Sequence, residues 1–86
     1  MKLDVKAMAI TFGLLWGVGA MFITGMANLI WPGYGAAFLD VMASVYPGYT
    51  PGGGFGQVVS ATLYGVVDGA IAGAILAWLY NRIARG

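Results

Sequence analysis

Asp68 lies in the middle of an uncharged apolar run, with Phe55 to Val67 before it and Gly69 to Tyr80 after it. An ionised carboxylate at the centre of a bilayer costs about 2.5 to 3.5 kcal/mol on insertion scales. No Lys or Arg stands between Lys6 and Arg82 to offset that cost. At ~100° per helical residue Gln57, Tyr64 and Asp68 fall within a sector of ~40° and form one intramembrane polar seam. An antiparallel neighbour would bring Trp16 to Gly19 level with the acid, leaving the Trp16 indole N–H as the donor within reach. Three uses suit such a seam: interhelical hydrogen bonding, the lining of a water or ion path, and contact with a partner. The plain alternative is a neutral Asp68 bonded to nearby backbone or to Tyr64.

Other chemistries find no residues. The chain has no His and no Cys, and its three acids are Asp4, Asp40 and Asp68. Zinc sites, thiolate- or imidazole-held clusters and haem, thiol nucleophiles and imidazole acid–base catalysis therefore have no ligands or groups to use. Thr11, Thr24, Ser60 and Thr62 have no base beside them. Gly52-Gly53-Gly54-Phe55-Gly56 is followed by no Lys-Ser or Lys-Thr, so it reads as a flexible turn and not a phosphate loop. The expectation is no catalytic residue, no metal and no cofactor. Nucleic acid is excluded as a partner because the net charge is only +1 and the four cations stand in two separated pairs.

The elements that would hold this seam follow from composition. Of the 86 residues 60% are hydrophobic and 8% charged, with a mean hydropathy of +0.85; a soluble domain carries about 25% charged residues. A chain this short cannot hide that much apolar surface from water, whereas lipid can accommodate it. Residues 7–31 and 55–80 are each long enough for a hydrocarbon core of ~30 Å, which needs ~20 helical residues. The first run exceeds the roughly 7 to 15 apolar residues of a leader peptide, so it reads as a retained span. It should end at Trp31-Pro32-Gly33, because Pro cannot continue the helix. The fold class predicted is an all-α membrane protein, a hairpin of two transmembrane helices forming one domain over residues 1–86.

Between the spans, residues 32–54 carry Tyr34, Phe38, Tyr46 and Tyr49, bounded by Trp31 and Phe55. Such aromatics favour the headgroup level. A short interfacial helix over about 36–46 is predicted, with Phe38, Val41, Met42 and Val45 on one face and Asp40 and Ser44 opposite. Residues 81–86 form a tail. Lys2 and Lys6 precede the first span and Arg82 and Arg85 follow the second, so the positive-inside rule places both termini in the cytoplasm and the loop outside.

Small residues in the spans indicate close packing. Ala61, Gly65, Gly69, Gly73 and Ala77 recur at every fourth position of the second span, a pattern that lets helix backbones approach where no hydrophobic effect drives association. In the first span Ala9, Gly13, Gly17, Ala20, Thr24 and Asn28 gather on one face. These stripes would pack against each other within one chain, or serve several neighbours in a homo-oligomer, since a four-residue stripe drifts ~40° per step around an α-helix.

Leu3-Asp4-Val5-Lys6-Ala7, Tyr46-Pro47-Gly48-Tyr49, Gly65-Val66-Val67-Asp68-Gly69 and Ala77-Trp78-Leu79-Tyr80-Asn81 resemble short two-span bacterial and archaeal membrane proteins labelled bacteriophage holin-like. The resemblance covers most of the chain. It implies a homo-oligomer that permeabilises the inner membrane of a prokaryote, although many holins end in a dense charge run where this tail has two arginines. The rotor-ring subunit of rotary ATP synthases shares the topology and an acid in its second span, but its Arg-Gln-Pro loop is cytoplasmic, and this loop has no cation. The functional expectation is a small, holin-like integral membrane protein that self-associates through its Gly-rich helix faces and forms a membrane pore. Two alternatives stay open: a structural or accessory subunit of a larger membrane complex, and an ion-conducting oligomer using Asp68. Partners expected are the lipid bilayer, copies of the chain and another membrane protein.

Overall fold

The structure, a computed structural model, describes residues 2–85; Met1 and Gly86, at the extremes of the predicted domain and tail, lie outside the described residues. The described chain is all-helical: α1 over Val5–Ile30, α2 over Ala36–Ala43 and α3 over Phe55–Arg85. Both α1 and α3 are long and apolar enough to cross a membrane. They run antiparallel along a rod of 48 × 19 × 18 Å.

Local chemistry sets the helix ends. Asp4 caps α1, its Oδ1 accepting from the Ala7 N–H at 3.2 Å. The helix stops where Trp31 turns extended, at φ −124°, ahead of Pro32. Asn28, buried one turn earlier, then donates from Nδ2 to the Pro32 and Tyr34 carbonyls, each at 2.9 Å, and so reverses the chain. Gly35 at φ 65° and Gly54 at φ 97° lead into α2 and α3. The third helix continues beyond the predicted end at Tyr80. Asn81 does not close it: the helix runs to Arg85, and Arg82 and Arg85 in its last turn suit the negative end of the helix dipole.

The packing-stripe residues Gly13, Gly17, Ala61, Gly65, Gly69, Gly73 and Ala77 are all buried within the single chain. Gly17 and Gly65 face each other so closely that a Cβ at Gly65 would lie 2.8 Å from the Gly17 Cα. A Cβ at Gly69 would meet the Phe12 carbonyl, and one at Gly73 the Met8 carbonyl. The closest approach is thus made to backbone, which cannot swing aside.

The buried face of α1 differs from the one predicted. It runs Gly13, Gly17, Met21, Gly25 and Asn28, while Ala9, Ala20 and Thr24 are only half-buried. The cause is a π-helical stretch over Leu15–Phe22, where the Ile23 N–H reaches the Val18 carbonyl. A π turn is wider and rotates less per residue than an α turn. It draws a four-residue stripe back into line where an α-helix would let it drift, so Met21 and Gly25 take the places that α-helical spacing assigned to Ala20 and Thr24.

Gly69→Ala should destabilise the chain by about 1 to 3 kcal/mol through overpacking against the Phe12 backbone. Gly56→Ala, where an added Cβ meets nothing within 4 Å, should be neutral or stabilise by about 0.4 to 1 kcal/mol. Reversible unfolding in mixed micelles compares the two; equal midpoints would refute the close approach at Gly69.

Candidate functional site

Gln57, Tyr64 and Asp68 share one side of α3, and each bonds to the segment that follows α2. The Gln57 Oε1 accepts from the Thr50 N–H at 2.8 Å, and the Tyr64 hydroxyl donates to the Pro47 carbonyl at 2.6 Å. The Tyr46 hydroxyl donates to the Asp68 Oδ2 at 2.9 Å. The seam is therefore the surface on which the connecting segment docks.

The segment reaches this depth because α2 lays its own apolar face against the two long helices. Leu39, Met42, Tyr46 and Tyr49 are buried in one cluster with Met21 and Ala61, flanked by half-buried Trp16 and Phe38. Of the face predicted from Phe38, Val41, Met42 and Val45, Met42 is buried and Phe38 half-buried in this cluster, while Val41 and Val45 are each 62% exposed. Leu39, Met42 and Tyr46 are also spaced helically, and they carry more buried bulk, so the helix turns that side inward. Phe38 meets Trp16 edge-on, with centroids 6.0 Å apart, and Tyr46 stacks on Tyr64 at 5.1 Å with planes 12° apart. Gly48 at φ 82° lets the chain reverse after Tyr46-Pro47.

Trp16 completes the site from α1, its Nε1–H donating to the Tyr46 hydroxyl oxygen at 2.8 Å. The result is an oriented chain of hydrogen bonds, Trp16 to Tyr46 to Asp68, that joins all three parts of the molecule. Tyr46 is 3% exposed. Burial pushes its hydroxyl above the usual tyrosine range; the Trp16 donor opposes this and the Asp68 carboxylate adds to it. The hydroxyl therefore stays protonated and remains a donor to Asp68 throughout the neutral range.

Asp68 itself is exposed on the outside of the rod. It stands roughly 20 Å along α3 from Phe55 at ~1.5 Å per residue, and among the described residues only its Oδ2 is bonded. Beside it Ser60, Leu63, Tyr64 and Val67 line an apolar groove of about 380 Å³. The chemistry available is that of a carboxylate held in place on one side and open on the other: it can accept further hydrogen bonds, bind a cation or exchange a proton. Among the described residues no three of His, Cys, Asp and Glu gather as a metal site.

Sequence spacing placed Trp16 level with Asp68 but missed Tyr46 between them. Tyr34, Tyr46 and Tyr49 are alike in a linear reading, and only the folding back of α2 selects the one that reaches the acid.

Tyr46→Phe should cost about 1 to 2 kcal/mol of stability, since it removes the acceptor of Trp16 and the donor to Asp68 together. Trp16→Phe should cost less than that, and the double variant less than the sum of the two; strict additivity in a double-mutant cycle would show that the three groups do not act as one chain. Compared with models of protein families, with curated proteins and with solved structures, the chain matches none.

Proposed function

We propose that the chain is an integral membrane protein that crosses the bilayer twice with both termini in the cytoplasm, and that copies of it assemble around the outward face of α3 to form a holin-like polar path. The observation that carries this reading is the exposed Asp68 carboxylate halfway along an apolar helix. Lipid tails offer it no partner, and an intramembrane acid normally faces protein or water. The Leu3–Asn81 hydrogen bonds support the orientation, because they bring both chain ends, and with them the cations, to one end of the rod.

The glycine stripes are occupied within the chain, so self-association falls to another surface. Tyr64, Val67, Asp68 and Ile71 form an exposed strip on α3. Neighbouring copies meeting there would remove Asp68 from lipid and set several carboxylates near one another, which favours cations or protons along the path. The prokaryotic inner membrane is the compartment in which holin-like proteins act, and it is the setting proposed here.

Native mass measurement in detergent and dye release from liposomes test the proposal together. The wild-type chain should be a homo-oligomer and should leak. Asp68→Asn should lower cation selectivity about tenfold or more while the unfolding midpoint of the single chain stays near wild type. A tight monomer that leaks nothing would refute the reading, and stoichiometric copurification with a different membrane protein would replace it with the accessory-subunit role.

A further inference from the structure

A second polar feature lies at the end of the rod away from the connecting segment and owes nothing to Asp68. The Asn81 carboxamide donates to the Leu3 carbonyl and accepts from the Leu3 N–H, both at 2.8 Å. This two-bond clamp pins the residues ahead of α1 to the last turns of α3. It brings Lys2 beside Arg82 and Arg85, and together with Val5, Trp78 and Asn81 these line a cleft of about 270 Å³. The Arg82 guanidinium lies over the Trp78 ring, 5.4 Å from its centroid.

Three cations and no carboxylate line this cleft. Like charges held together repel, and an anion seated among them removes that cost. Guanidinium groups present forked donors that match phosphate oxygens. The wall formed by Val5 and the exposed Trp78 is apolar and continuous with the outer surface of α3, so the cleft suits a ligand with a phosphate at one end and hydrocarbon at the other.

We propose that the cleft binds the phosphate of an anionic glycerophospholipid, with Lys2, Arg82 and Arg85 on the phosphate oxygens and Trp78 against the glycerol and first methylenes. This rests on the membrane orientation proposed above, which sets the cleft at headgroup level of the cytoplasmic leaflet, where basic pockets recruit anionic lipids. The clamp is what makes it a site: without Asn81, Lys2 would be an untethered surface charge.

The test is lipid retention by the full chain in detergent, read by native mass spectrometry with phosphatidylglycerol and phosphatidylcholine supplied equally. The wild type should retain phosphatidylglycerol preferentially. Each of Lys2→Gln, Arg82→Gln and Arg85→Gln should lower that preference about fivefold, and Lys6→Gln, outside the cleft, should leave it unchanged. Asn81→Ala should match Lys2→Gln, and combining the two should add little. Equal retention of both lipids, or an equal loss in Lys6→Gln, would overturn the site in favour of diffuse charge attraction. Displacement of the lipid by millimolar inorganic phosphate would overturn it in favour of a free-anion site. Resistance of the chain to alkaline carbonate extraction checks the membrane reading separately: a chain that stays embedded yet shows no lipid preference defeats this inference alone.

Discussion

The contact of glycine Cα atoms with backbone between α1 and α3 is the constraint on which the other features rest. Gly17 against Gly65, and Gly69 and Gly73 against the carbonyls of Phe12 and Met8, bring the two helices to a separation that no larger residue permits. In the bilayer proposed for the chain, apolar side chains gain nothing by leaving lipid for one another, so association depends on dispersion across closely fitted surfaces and on hydrogen bonds. Both depend on short distance. The tight fit brings Trp16 and Asp68 within reach of a single tyrosine at mid-length, and it aligns the ends so that Leu3 and Asn81 meet. A looser pair would lose both.

The polar groups then divide the rod into zones. At one end Asn28 turns the chain and at the other Asn81 ties it, each through backbone carbonyls or amides that would otherwise lack partners. From the first turn of α3 to its middle the connecting segment supplies donors and acceptors to Gln57, Tyr64 and Asp68 in turn. Among the described residues no buried side-chain nitrogen or oxygen is left without a partner. Asp68 differs from the others because, among the described residues, its second oxygen has no hydrogen-bond partner, which leaves it open on the outer side of the rod.

Much of this was legible in the linear chain. The run from Ala7 to Trp31 and the stripe from Ala61 to Ala77 announce two apolar helices with a small-residue face, because both depend on residue type and a regular period. The face of α1 was misplaced at Ala20 and Thr24 because the π-helical stretch changes the period without any mark such as Pro to signal it. The inward side of α2 was missed for a different reason: Leu39 and Tyr46 fall on one helical stripe and Val41 and Val45 on another, and spacing alone does not say which of them packs beside Met21 and Ala61. Tyr46 as the link to Asp68 depends on a reversal of the chain that local spacing does not encode.

The four-residue repeat on both helices has an ambiguity built into it. Sliding α1 along α3 by one repeat, ~6 Å, would again set small residues against backbone, so the stripes alone admit several alignments of similar fit. Trp16, Tyr46 and Asp68 do not repeat. Their chain of hydrogen bonds closes at one alignment and breaks at every slipped one, which makes Tyr46 a check on helix register: its bonds to Trp16 and to Asp68 exist together only when α1 and α3 are paired in this alignment.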